Sequence, residues 1–233
     1  MKFTKLFLPI FLLLTVFLSS SCFDILEEIT LNDDGSGSLV YKVDMAELGS
    51  FMSSMGEGDD APDMGELDAL FSDNELVMGL ESMEGISNVK NLSNKETYLF
   101  GFSLDFDEVE DLNEVLSNSN FLGAMMGGED AEMDTENPGR IVSIKGKKVQ
   151  LDGNLSVDQS ELSGEDEMSS QMMMSIMDEA MYKTVYHFER DVKKVKKNER
   201  AIVGADGKSV VIEASMAQLL KGDANLNGQI KLK

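Results

Sequence analysis

Three kinds of side chain stand at spacings that can do chemistry: the only cysteine, the only histidine, and clusters of methionine and carboxylate. Cys22 follows Ser19-Ser20-Ser21, which follow the apolar run Leu6–Leu18 (LFLPIFLLLTVFL). A lone thiol forms no internal disulfide and no Cys-cluster zinc site, which leaves modification or a free thiol. His187 falls in the strand-like stretch Tyr182–Glu189, on one face with Lys183, Val185 and Glu189. A Ser-His-Asp arrangement around it stays open, but no nucleophile elbow accompanies it. No HExxH, Walker loop or GxGxxG occurs.

The 17 methionines include Met52/Met55, Met125/Met126 and Met172–Met174. Soft thioethers can hold Cu(I). Yet Met168, Met172, Met173, Ile176, Met177, Ala180 and Met181 make one stripe at helical spacing. Methionine is a flexible filler of cores and adaptable binding faces, so packing is the expectation, with a partner-binding groove and copper as alternatives. Asp223-Ala-Asn225-Leu-Asn227-Gly228-Gln-Ile230 resembles the first eight positions of an EF-hand loop, without the bidentate Glu that position twelve requires. A turn is expected there. The acidic stretches Glu57/Asp59/Asp60/Asp63 and Glu129/Asp130/Glu132/Asp134/Glu136 read as solvated faces that collect cations only loosely. No cofactor, metal ligand or catalytic residue is assigned.

Charge narrows the partners. With 20 Lys+Arg against 43 Asp+Glu, the net charge is −23. Such a body is repelled by nucleic-acid phosphates and anionic head groups, so no nucleic-acid partner is expected. One stretch runs the other way, Arg190–Arg200 (RDVKKVKKNER). It reads as a solvated β-hairpin, with an acidic loop of the same chain, lipid head groups or another protein as contacts open to it. A hydrolase using paired carboxylates remains the alternative function, as does weak calcium or copper binding. With no Trp and four Tyr the chain offers little aromatic platform for sugars, and the expectation is a non-enzyme.

The amino terminus is more specific. Lys2 and Lys5 precede the 13-residue apolar run, which contains Pro9 and is shorter than the roughly 20 residues that cross a bilayer. Charged start, short apolar segment and small residues make residues 1–21 a secretory signal peptide. Leu18-Ser-Ser-Ser-Cys22 resembles the lipobox of bacterial lipoproteins, with Ser19 where that family usually has Leu. The resemblance implies cleavage before Cys22, a diacylglycerol on its sulfur and an acyl group such as palmitate on the new amine. Each buried CH₂ contributes about 0.8 kcal/mol, so two or three chains anchor durably where one is marginal. In Gram-negative members an Asp directly after the Cys favours inner-membrane retention; Phe23 here implies the outer membrane. Asp24, Glu27 and Glu28 read as acids on the solvent side of a first strand, or as an acidic export tag.

The elements follow from periodicity. Ile25, Ile29 and Leu31 share a face, Asn32–Gly37 is a turn, and Leu39, Tyr41, Val43 and Met45 alternate after it: a β-hairpin. Helical spacing covers Met64–Phe71 and Leu76–Met83, and Asn88–Leu92 is a short strand. Tyr98, Phe100, Phe102, Leu104 and Phe106 alternate as a strand before a helix capped by Asp107 with Glu110. Residues 123–139 form an acidic Gly/Met-rich loop between an N-terminal half, 22–122, and a C-terminal half, 140–233. The second half predicts a hairpin at Gly146, a helix over Glu165–Met181, strands over Tyr182–Glu189, Val192–Lys196, Arg200–Val203 and Ser209–Ala214, a helix over Ser215–Lys221 and a strand over Gly228–Lys233.

The sum is an α+β fold, mostly antiparallel sheet built from hairpins, with helices packed on one face. The opening hairpin with its Asp-Gly turn and the closing Ala-Asp-Gly-Lys-Ser-Val-Val-Ile look like LppM-type lipoprotein domains, which supply no catalytic residues to carry over. The functional expectation is a lipid-anchored envelope protein held by Cys22, acting as a non-catalytic binding or scaffolding module, with an envelope protein as a further partner.

Overall fold

The structure, a computed structural model, describes residues 24–47, 49, 75–118, 141–153 and 178–233. The expected signal peptide over residues 1–21 and Cys22, the helix expected over 64–71, the acidic loop expected over 123–139 and the methionine stripe as far as Met177 lie outside the described residues.

Within them the chain is sheet-rich, with few helices. Strands β1 (Asp24–Leu31), β2 (Gly37–Asp44), β3 (Ile86–Asn91), β4 (Leu99–Phe106), β7 (Met181–Phe188), β9 (Ile202–Val203) and β10 (Ser209–Ser215) form one sheet in the order β3-β4-β2-β1-β7-β10-β9. Strands β5 (Ile141–Lys145), β6 (Lys148–Asp152), β8 (Val192–Lys196) and β11 (Gly228–Leu232) form a second, in the order β5-β6-β11-β8. Every pairing is antiparallel except β1 with β7. That parallel pair joins the two halves of the sequence, so β1 sits in the middle of the large sheet.

The turn between β1 and β2 is built from its own polar groups. Asp34 accepts from the Ser36 N–H at 3.0 Å and the Ser36 hydroxyl at 2.7 Å, and Gly35 takes φ 99°, which an L side chain adopts poorly. The apolar faces of both sheets enter one continuous core. Ile25, Ile29, Leu39, Val43, Phe102, Leu104, Tyr186 and Ile212 come from the large sheet; Val142, Val149, Leu151, Ile230 and Leu232 come from the small one.

Helix α1 (Glu75–Glu81) buries Leu80, with Leu76 and Met83 half-buried. Helix α2 (Val109–Asn118) sets Val109, Leu112 and Val115 inward. Its Asn113 clamps β5, accepting from the Val142 N–H at 2.7 Å and donating to the Val142 carbonyl at 2.9 Å. The cap of α2 lies one residue later than the sequence predicts, because the Asp111 carboxylate reaches back to the Glu108 N–H at 2.9 Å. A short helix α3 (Met216–Leu220) is capped by Ser215, whose hydroxyl accepts from the Gln218 N–H.

Other corrections are local. Tyr98 does not begin β4; at φ 51° it closes a 3₁₀ turn over Lys95–Thr97. Met181, expected at the end of a helix, is the first residue of β7. The Arg190–Arg200 stretch is not a hairpin, since β8 pairs with β11.

Candidate functional site

Polar chemistry in the described fold concentrates where β1 meets β7. Side chains alternate along a strand, so Ile25, Glu27, Ile29 and Leu31 all point to the core face. Glu27 is 1% exposed. The solvent-side expectation for this acid is therefore wrong: its place in the strand puts it on the buried face with the isoleucines. Register sets it in one cross-strand row, Phe102–Tyr41–Glu27–Thr184–Ile212, spanning β4, β2, β1, β7 and β10.

A buried carboxyl is costly unless hydrogen-bonded. The Tyr182 hydroxyl donates to Glu27 Oε2 at 2.6 Å from within the core. On the other side Tyr41 stacks on Phe102, ring centroids 5.6 Å apart and planes 21° apart, and burial pushes its hydroxyl above the ordinary tyrosine value. Thr184 Oγ1 is buried without a hydrogen-bond partner among the described residues. Tyr182→Phe removes one oxygen and keeps the ring. It is expected to cost about 1–3 kcal/mol, because a donor to a buried carboxyl oxygen is lost while the oxygen stays buried. For a chain of this size that is a fall of roughly 2–10 °C in melting temperature. A thermal melt followed by circular dichroism checks it, and an unchanged midpoint would refute the pairing.

The next residue of β1 points the other way. Glu28 Oε1 lies 2.7 Å from His187 Nε2, with side chains 41% and 36% exposed. On that open face His187 sits opposite Thr30 on β1 and Ser209 on β10. Ser, His and Glu thus meet on adjacent strands, the composition of a nucleophile relay. The hydroxyl is aimed elsewhere, however, since Ser209 Oγ donates to Asp206 Oδ1 at 2.8 Å. Asp206 also accepts from the N–H groups of Lys208 and Ser209, at 2.9 and 3.0 Å. The Lys208 N–H first, then the Ser209 hydroxyl, hold its carboxyl below the usual range, with His187 adding a smaller electrostatic contribution. These bonds close the β9–β10 turn around Gly207, at φ 69°.

The remaining candidates separate. The EF-hand-like stretch is a turn: Asn225 Oδ1 accepts from the Asn227 N–H, and Asn227 Oδ1 accepts from the Gly153 N–H at 2.8 Å. Asn198 donates to the carbonyls of Asn225 and Asn227, so those oxygens serve the fold. Among the described residues no three His, Cys, Asp or Glu side chains converge on a point where a metal could sit. In the basic stretch Arg190 pairs with Asp33 at 2.8 Å, while the β8 lysines face outward. Cys22 lies outside the described residues, two positions before β1.

No family model matches the chain, and no curated protein matches it. The chain is similar to the folded domain of LppM from Mycobacterium tuberculosis, solved by NMR, at 11% identity over 93% of this chain and 92% of that one, with a TM-score of 0.42. A likeness of that size carries no inference about function.

Proposed function

We propose that this protein is a lipid-anchored component of the bacterial cell envelope, held by acyl chains on Cys22, whose sheet-rich domain binds or scaffolds a partner without catalysing a reaction. The observation that carries the reading is the succession Lys2, Lys5, Leu6–Leu18, Ser19–Ser21 and the only cysteine. Its support from the fold is positional. Asp24 opens β1 and Ile25 is fully buried, so the central strand of the large sheet begins two residues after the cysteine. Acyl chains at Cys22 therefore set the β1 amino end hard against the membrane. Phe23, rather than Asp, favours the outer membrane of a Gram-negative cell. The non-catalytic part rests on the engagement of the polar groups with one another: Ser209 with Asp206, and His187 with Glu28.

Cys22→Ser is expected to abolish incorporation of labelled palmitate and to move the protein from the membrane fraction to the soluble envelope fraction. Retention of the variant in washed membranes, with no label on the wild type, would reject the anchor.

A further inference from the structure

Four lysines that are scattered in the sequence fall into one row across the small sheet. Lys145 on β5 faces Lys148 on β6; Lys148 faces Lys231 on β11; Lys231 faces Lys194 on β8. Strand spacing makes this a line about 14 Å long with a positive charge on every strand. All four point away from the core, because Val149, Ile230 and Val195 carry the inward face. Lys196 stands beside the row, followed across the sheet by Gln229, Gln150 and Ser143. Asp152 also belongs to this face, four residues from Lys148 along β6 and bonded to Gln150.

Like charges directly opposite on neighbouring strands are destabilising. Lysines on the edge strands β5 and β8 guard a sheet against edge-to-edge pairing. That reason does not extend to Lys148 and Lys231, which lie on the two interior strands. Nor is the row neutralised from within. The chain has 43 acids, yet among the described residues none lies in ion-pair distance of these lysines. The crowding is felt within the row, where Lys196 first, then partial desolvation, and further Lys231 and Lys193 hold the Lys194 ammonium below the ordinary lysine value.

We infer that the outer face of the small sheet is a docking surface for a linear polymer of phosphate groups, laid across the strands. A line of charge fits a linear polyanion better than it fits a single ion. The ammonium group is a point-charge phosphate binder that needs no bidentate geometry. No aromatic side chain stands in the strands of this sheet, so bases and sugar rings find no stacking platform. The place in the fold agrees. The Leu232 N–H bonds the Lys147 carbonyl, the Lys233 N–H bonds the Asp191 carbonyl and the Val192 N–H bonds the Gly207 carbonyl, which ties the row to the Phe188 end of the large sheet. Asp24, two residues after Cys22, is at the other end of the eight-residue β1, roughly 23 Å away. The net charge of −23 does not oppose this at contact range, because salt screens it beyond about 8 Å.

The test uses the full chain in non-ionic detergent with inorganic polyphosphate as the probe. Wild type is expected to bind with a log–log salt slope of about −3, as four released counterions give on a single-stranded polyanion. Lys145→Gln/Lys148→Gln/Lys194→Gln/Lys231→Gln is expected to bind more than tenfold more weakly with a flattened slope, and the corresponding Lys→Arg set to retain binding. The Gln variant should melt at or above the wild-type temperature, since repulsion is removed, which separates lost binding from lost folding. Equal binding by wild type and the Gln variant would overturn the inference. So would displacement by orthophosphate at equal phosphate concentration, or tighter binding of an oligothymidine of equal charge. None of these readouts depends on acylation of Cys22.

Discussion

Phe102→Ala is expected to lower stability by about 3–5 kcal/mol, the range for removing a buried phenyl ring from a close-packed core. Phe102 is fully buried at the centre of β4 and stacks on Tyr41. The ring also flanks the row of the core that contains Glu27, so the cavity opens beside Tyr41, the cross-strand neighbour of Glu27. In chemical denaturation the midpoint should fall with little change in slope, and the melting temperature should drop by roughly 10 °C. Phe102→Leu, which keeps most of the volume, should recover more than half of the loss. Equal losses for Ala and Leu would show that packing at this row is not what holds the large sheet together.

Gly37→Ala is the second large effect, and it arises from the opposite cause. A methyl group built on Gly37 runs into the Thr30 carbonyl oxygen and the Phe106 ring. The ring can rotate, but the carbonyl belongs to the neighbouring strand and can move only with β1. Overpacking against an unyielding neighbour costs about 1–3 kcal/mol and sometimes more, and the backbone obstacle puts this substitution at the upper end. Gly35→Ala, one turn residue away, meets nothing within 4 Å and suffers only from its positive φ, so it should cost about 1 kcal/mol. Thermal melts of the pair check the contrast, and a Gly35 variant as damaged as the Gly37 variant would refute it.

How much of this was legible in the sequence depends on whether the signal was local. The alternation of Phe100, Phe102, Leu104 and Phe106 is local and marks β4 as a strand buried on one face. The hairpins β1–β2 and β5–β6 carry their turns with them. Glu27 was also within reach. It shares its strand face with Ile25, Ile29 and Leu31, and only the habit of placing acids in water hid it. The partner of β1 on its other side was not within reach, because Tyr182 lies 155 residues from Glu27 and no periodicity encodes pairing over that separation. The lysine row was hidden for the same reason. Read along the chain, Lys193–Lys197 belong to a basic stretch that reads as a solvated hairpin, and Lys145, Lys148 and Lys231 look unremarkable. Register alone aligns them.

The central position of β1 fixes the order in which the protein can become stable. A strand at the middle of a sheet is complete only when both neighbours have arrived. β2 follows within a few residues, but β7 comes only after most of the chain. Such long-range closure is slow relative to hairpin formation. Until it occurs, β1 has an open edge, and Glu27 lacks Thr184, its cross-strand neighbour on β7. Pairing with β7 removes that edge and brings Tyr182, whose hydroxyl donates to Glu27. The amino-terminal hairpin carries its own turn, but its open edge is closed only by a strand from far along the chain.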